Sequence, residues 1–396
     1  MVVTLPIAIA IFLGSALAVI FFGSQLAKYG DALATLTGWG RLFVGSLLVA
    51  MATSLPELST NISAVRLDPP NPELALGNVL GANMINMFTF AVVALVFGGR
   101  RFLQGVAPQQ GYLIGLAVLL TGLTVVFAAL KLEIELWNVG LSSVILLVVF
   151  VVGMRIVYTT RPSNPDAIEE VVSVTLARAW GMFILVSVGV IVAGYFLAFS
   201  VDRIAALTGV ASSTLGILAA SIVTTLPEAA ATIAAARIGA SDLGIGNLYG
   251  SCAFNVTILL YADPFYRQGI IVNQTEPSHF VAGSVAIFLM VFGLILVLAR
   301  NRIRQVVAIS GLAMMAPIYL AAVVAVARLG SPRAAVEAHL LASKTGPGTC
   351  PIAFNSLGLG TYDLVVFKGL REVRLYVRSL KSGDLHEAVF FIGPGE

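Results

Sequence analysis

The chain has 396 residues, of which 58% are hydrophobic and 11% charged, and its mean hydropathy is +0.97. Soluble domains carry about 25% charged residues, so that class is excluded. The formal net charge of +3 is scattered over polar breaks and offers no basic face to nucleic acid. Cys252 and Cys350, the first of them in an apolar stretch, do not make a disulfide framework.

Apolar segments of about 20 residues recur along the chain, each long enough to cross a hydrocarbon core about 30 Å thick. Met1 to Leu26 lacks a basic leading region and a small-residue cleavage site, so it reads as a retained first span. The spans expected are 5–26, 41–66, 73–97, 111–130 and 136–158, then 174–199, 212–237, 242–262, 279–299 and 305–327. The most polar break, Thr160 to Glu170, separates two sets of five. Five is odd, so the second set enters the membrane from the opposite side. The fold class expected is therefore an all-α integral membrane protein of about ten transmembrane helices in two inverted five-helix repeats, a plan of secondary transporters with the site at the repeat interface.

The domain reading is a first membrane repeat at 1–158, a cytoplasmic linker at 159–173, a second membrane repeat at 174–330 and an extramembrane tail at 331–396. Short alternating runs such as Asp363 to Phe367 give that tail some strand tendency. With the N-terminus outside, the cytoplasmic segments hold Lys28, Arg41, Arg100, Arg101, Arg155, Arg161, Arg237, Arg300, Arg302 and Arg304. The outer ones hold only Arg66, Lys131, Arg203, Arg267 and Arg328, and this bias sets the expected orientation.

Two passages are near copies. Thr53-Ser54-Leu55-Pro56-Glu57 precedes Gly77-Asn78-Val79-Leu80-Gly81-Ala82-Asn83-Met84-Ile85-Asn86. Thr224-Thr225-Leu226-Pro227-Glu228 precedes Gly246-Asn247-Leu248-Tyr249-Gly250-Ser251-Cys252-Ala253-Phe254-Asn255. Pro56 and Pro227 remove an N–H and kink their helices, freeing carbonyls near Ala52 and Val223. Thr53 and Glu57 are four apart, as are Thr224 and Glu228, so hydroxyl and carboxylate share a helix face in each copy. Asn78, Ala82 and Asn86 recur at the same interval, as do Asn247, Ser251 and Asn255. Glycines at 77, 81, 246 and 250 let these helices approach closely.

Hard cations want such a surface, since Ca²⁺ takes six to eight oxygens from carboxylates, carbonyls, amides and water. With no histidine beside the motifs, zinc and copper chemistry is disfavoured. A single intramembrane glutamate is explained by a hydrogen bond to a neighbouring helix. Two, each beside Pro and Thr, point to ion handling. HExxH, Ser/His pairs and nucleotide loops are absent from the sequence, and its histidines are His279 at a span edge and His339 and His386 in the tail. The chain is therefore read as a non-enzyme without a cofactor.

The paired motif resembles the α-repeats of the sodium/calcium exchanger family within the cation/Ca²⁺ antiporter superfamily, over roughly residues 1–330. The resemblance implies that Ca²⁺ and Na⁺ compete for Glu57 and Glu228. It adds hydroxyl ligands Thr53, Ser54, Thr224, Thr225 and Ser251, central amides Asn86 and Asn255, and main-chain carbonyls of Ala50 and Ser221. Asn78 and Asn247 stand at the margin of this set. The pattern departs from the family at Ala82, where Ser is common, at Asn255, where many members have Asp, and at Cys252, where Asn is usual. Fewer oxygens leave the counter-ion open between Na⁺ and H⁺. The function expected is exchange of Ca²⁺ for Na⁺ by alternating access, in which spans one and six slide over a fixed kinked bundle; H⁺ exchange and a cation channel are the alternatives. Partners expected are the lipid bilayer and the ions, for a chain acting as a monomer, with self-association left open, in the plasma or prokaryotic inner membrane.

Overall fold

The computed structural model describes residues 3–36, 50–160, 174–237, 239, 241–330 and four strands in the tail. Its helices are α1 Leu5–Leu36, α2 Ala50–Thr53, α3 Leu55–Val65, α4 Pro72–Val96, α5 Arg100–Gln104, α6 Gln110–Leu130 and α7 Leu141–Thr159. They continue with α8 Leu176–Thr208, α9 Ser212–Thr224, α10 Leu226–Arg237, α11 Ser241–Ala262, α12 Pro277–Ala299 and α13 Gln305–Leu329. Among the described residues eight helices are long and apolar enough to cross a membrane, and the pair α9–α10, bent by 42°, makes a ninth as one span. The expected second span, 41–66, lies partly outside the described residues; its described part is the broken pair α2–α3.

Several expected limits move. The first and sixth spans run on to Leu36 and Thr208. The expected fifth span, from 136, begins instead at Leu141, because Glu135–Leu136 (β1) and Val139–Gly140 (β2) pair as an antiparallel hairpin. Its turn residues Trp137 and Asn138 adopt φ of 51° and 61°, which reverses the chain before a helix can start. In the tail, Cys350–Ala353 (β3), Thr361–Lys368 (β4), Glu372–Ser379 (β5) and Leu385–Phe391 (β6) form an antiparallel sheet in sequential order. The expected linker, 159–173, lies almost wholly outside the described residues.

The two helices that follow the kinked motifs form the centre. In α11, 89% of the apolar stretch is buried, and in α4 67%, against 22% in α1. Asn71 caps α4 by accepting from the Leu74 N–H at 3.0 Å, and Pro72 occupies the first turn, where its missing N–H leaves no helix bond unmade. Glycine permits a close approach of backbone to backbone between α4 and α9. A Cβ on Gly77 would lie 2.6 Å from the Ser213 carbonyl, and one on Gly81 2.7 Å from Ile217 Cα. At that crossing Gly216–Ala220 opens into a π-helical turn, a distortion that recurs at functional sites.

Loops gather at two ends. At one, Asn71 donates to Asp202 (2.8 Å) and Ser212 (3.0 Å), Asn273 to the Leu132 carbonyl (2.9 Å), and the Ala211 N–H to the Gly330 carbonyl (3.1 Å). At the other, Arg100 donates to the Arg300 carbonyl (3.1 Å) and the Ala107 N–H to Asp242 (3.0 Å).

Candidate functional site

Both motif helices break at the same place. Ser54 adopts φ −88°, ψ 6° and Thr225 φ −84°, ψ 0°, so each helix is interrupted two residues before its proline. Pro56 and Pro227 then sit at the second position of α3 and α10, where a proline is tolerated. The expected kinks are therefore present, displaced by two residues. The breaks turn α3 and α10 so that Glu57 and Glu228 enter the interior, where both are fully buried and close enough to repel each other.

Hydroxyls reach these carboxylates across the repeats. Ser54 donates to Glu228 Oε1 at 3.0 Å, and Thr53 also lies beside Glu228. Thr224 lies beside Glu57. Ser54 thus serves the carboxylate of the other repeat, whereas Thr224 lies beside Glu57 but donates to Asn78 Oδ1 and the Ser221 carbonyl. Ser251 is the further donor to Glu228 Oε1, at 3.5 Å, while Ala82 at the matching place in α4 offers nothing to Glu57.

The other expected residues divide into two groups. Asn86 and Asn255 are fully buried, Asn86 against the Cys252 thiol and Asn255 donating to Asn83 Oδ1 at 3.3 Å. Thr225 instead donates back along its own helix to the Ser221 carbonyl at 2.8 Å, which Thr224 also approaches at 3.3 Å. The Ser221 carbonyl is therefore already engaged, and Ala50 opens α2 at the edge of the described residues. Asn78 acts as a clamp, accepting from Thr224 (3.2 Å) and donating to Asn61 (3.0 Å). Asn247 donates to the Glu228 carbonyl (3.1 Å) and to Thr232 (3.2 Å).

Three buried residues at this centre were not anticipated. Asn61 and Thr232 stand one turn beyond Glu57 and Glu228, so extending each acidic face by four would have found them. Asn83 bridges the halves, donating to the Cys252 carbonyl and to Thr121, both at 3.1 Å, while Cys252 Sγ lies 3.9 Å from the Asn83 carbonyl. Asn83 and Cys252 match in the aligned motifs, and only the fold puts them in contact.

Unpaired buried atoms mark what is missing. Among the described residues, Glu57 Oε1 and Oε2, Glu228 Oε2, Asn86 Oδ1 and Asn255 Oδ1 have no hydrogen-bond partner. A buried carboxylate or amide without one is costly, roughly 1–3 kcal/mol per group and more for a charge. A cation held by these oxygens would satisfy them together. Among the described residues no group of three His, Cys, Asp or Glu exists to hold a metal, so hydroxyls and amides must complete any coordination shell.

The family model for sodium/calcium exchanger protein matches residues 7–158 and 178–334. The chain belongs to that family. Its match ends at the start of the tail. The inner membrane protein YrbG of Escherichia coli is 25% identical over 260 residues, covering 64% of this chain and 78% of that one. Among solved structures, the H⁺/Ca²⁺ exchanger CAX superposes with a TM-score of 0.56 at 14% identity, covering 81% of this chain and 90% of that one. The sodium-calcium exchanger NCX_Mj superposes with a TM-score of 0.52 at 19% identity, covering 81% and 99%. The exchanger described here thus shares their fold, and as a member of a cation/Ca²⁺ exchanger family it is an integral membrane transporter.

Proposed function

We propose that this exchanger moves Ca²⁺ across the plasma or prokaryotic inner membrane against Na⁺ by alternating access. The carrying observation is the fully buried glutamate pair, with unpaired oxygens on Glu57, Glu228, Asn86 and Asn255 and hydroxyls supplied across the repeats. Two carboxylates match the charge of one divalent ion, and Thr53, Ser54, Thr224 and Ser251 add neutral oxygens suited to either a divalent or a monovalent ion. An empty site of charge −2 resists passage through the bilayer, whereas a loaded one does not, which makes exchange obligatory. The moving part is α1 with α8, which pack on each other and flank an open apolar groove of about 430 Å³ lined by Gly14, Ala18, Phe22, Gly189 and Val192.

Exchange against H⁺ is the second reading. It rests on Glu57, whose two oxygens have no donor among the described residues, and on Ala82, which holds in α4 the place that Ser251 holds in α11. A proton on that carboxylate removes its buried charge and turns one oxygen into an O–H donor.

The test is ⁴⁵Ca²⁺ uptake by purified exchanger in vesicles loaded with Na⁺, with K⁺, or at acid internal pH. Uptake driven by internal Na⁺ but not K⁺ is the expected result. Uptake driven only by internal acid assigns the proton reading, and uptake with no gradient of either ion assigns a channel.

A further inference from the structure

One exposed feature lies outside the ion pathway. In the hairpin between α6 and α7, Trp137 is 98% exposed, and Ile134, Leu136 and Leu130 beside it are 52%, 47% and 60% exposed. Trp137 and Asn138 are the central pair of a two-residue turn with both φ positive, a turn that favours Asn-Gly. Asn tolerates the left-handed region, but for a tryptophan it costs roughly 1–2 kcal/mol. Backbone geometry therefore does not explain the indole, and no packing against the described residues does.

Placement explains it. α6 spans 21 residues, and at 1.5 Å per residue this is about the 30 Å of a hydrocarbon core. α6 ends at Leu130, and the base of the hairpin, where the Ile134 carbonyl accepts from the Leu141 N–H, stands level with the first residue of α7. The tip stands only three residues from Ile134, or about 10 Å at full extension, and the headgroup layer adds about 5–8 Å on each side of the core. The tip is thus confined to the interfacial layer or its edge. The surface leading to it is lipid-facing, since Leu119 and Val126 on α6 and Val148, Val151 and Val152 on α7 are all exposed.

The hairpin is held rigidly. The Leu141 N–H donates to the Ile134 carbonyl at 2.8 Å and Asn273 to the Leu132 carbonyl at 2.9 Å. Asp263, almost fully buried, accepts from the Gly140 N–H (3.1 Å), Ser143 Oγ (2.5 Å) and the Ile271 N–H (3.1 Å). A carboxylate sequestered in this way fixes the paddle to the end of α11, the helix that carries Ser251 and Asn255. We infer that the Glu135–Gly140 hairpin is a bilayer anchor, with Trp137 seated in the lipid interface and the stationary bundle held at fixed depth while α1 and α8 move. At its base exposed Glu133 and Glu135 outnumber exposed Lys131, so its partner is the general carbonyl–glycerol layer of the lipid and not an anionic headgroup.

The chain has three tryptophans, Trp39, Trp137 and Trp180, so W39F with W180F leaves Trp137 as the sole emitter. The full chain is placed in phosphatidylcholine vesicles, plain or brominated at defined depths, and titrated with iodide from outside. Expected are a blue-shifted emission and loss of intensity that is greatest for bromines nearest the headgroup, with little loss to iodide. Should the double variant misfold, the difference between the parent chain and W137F reports the same component. Water-like emission quenched by iodide and untouched by bromolipid overturns the anchor. So does protection from both quenchers that disappears as lipid is added, which assigns the face to a second copy of the chain.

Discussion

The two glutamates are equivalent in sequence and unequal in surroundings. Glu228 Oε1 receives Ser54 and Ser251, whereas neither oxygen of Glu57 has a hydrogen-bond donor. A bare carboxylate depends most on its cargo. Loss of a charged ligand interaction of about 1.5–3 kcal/mol weakens binding about tenfold to a hundredfold, so Glu57→Gln and Glu228→Gln should each abolish ⁴⁵Ca²⁺ uptake at low Ca²⁺. Both variants should keep their thermal unfolding midpoint or raise it, because each replaces a buried charge by a neutral amide. Normal uptake by either variant would remove the glutamate from the site. The double substitution Ala82→Ser, Asn255→Asp gives Glu57 a hydroxyl and the centre a third carboxylate, and uptake should then depend more steeply on internal Na⁺. The glutamates, prolines and threonines were legible because each is expensive inside an apolar span and occurs twice. Which hydroxyl serves which glutamate was not, because the helices break at Ser54 and Thr225 and not at the prolines that cause the break. Asn83 escaped notice for a similar reason, since a contact between copies leaves no periodic signature in either.

At the scale of elements, the repeats differ in how their long outer helices are held. Gly23 and Gly194 stand equally far before Thr53 and Thr224, yet Gly23 rests on Pro227, at the start of α10, and Gly194 on Ser59 and Thr60, one turn further along α3. Ser59 donates to the Ile191 carbonyl at 2.9 Å, fastening α8 to α3, while the matching residue in α10 is Ala230. One half of the sliding pair is therefore clasped by a hydroxyl that the other lacks. Removing that hydrogen bond, worth about 1 kcal/mol, shifts a two-state equilibrium roughly fivefold. Ser59→Ala should change the ratio of outward- to inward-accessible protein by that factor, read as reactivity of an introduced cysteine beside the pathway, with Ca²⁺ affinity unchanged. The α4–α9 crossing is less forgiving. At Gly81 an added Cβ would meet Ile217 Cα, the Ile217 carbonyl and Ser221 Oγ, each at 2.7 Å. Gly81→Val should lower stability by about 1–3 kcal/mol and reduce uptake, by displacing the helix that carries Asn86. The glycines were visible as a spacing; that their contact is backbone against backbone at a π-helical turn belongs to the fold.

On the scale of the whole chain, the contacts between loops fix a direction for each long helix. Residues 71, 132, 202, 212, 273 and 330 meet at one end, and residues 100, 107, 242 and 300 at the other. α8 therefore finishes at the first end. α1 runs against it, since Phe22 and Tyr29, in its later half, pack on Phe183, Val186 and Val190, in the first half of α8. The start of α1 and Gly330 accordingly lie at the same end, as an even number of crossings requires. Arginine prevails at the opposite end, with Arg100, Arg101, Arg237, Arg300, Arg302 and Arg304, which is the bias expected of a cytoplasmic face. The ten-span, inverted arrangement then predicts that both termini face outward. Alkaline phosphatase fused after residue 330 should be active and a fluorescent protein fused there dark, with the reverse for fusions in the 161–173 linker. A bright fusion after residue 330 with an active phosphatase in the linker would reverse the orientation, and bright fusions at both places would put an even number of crossings between them, so that the two halves would not be inverted copies.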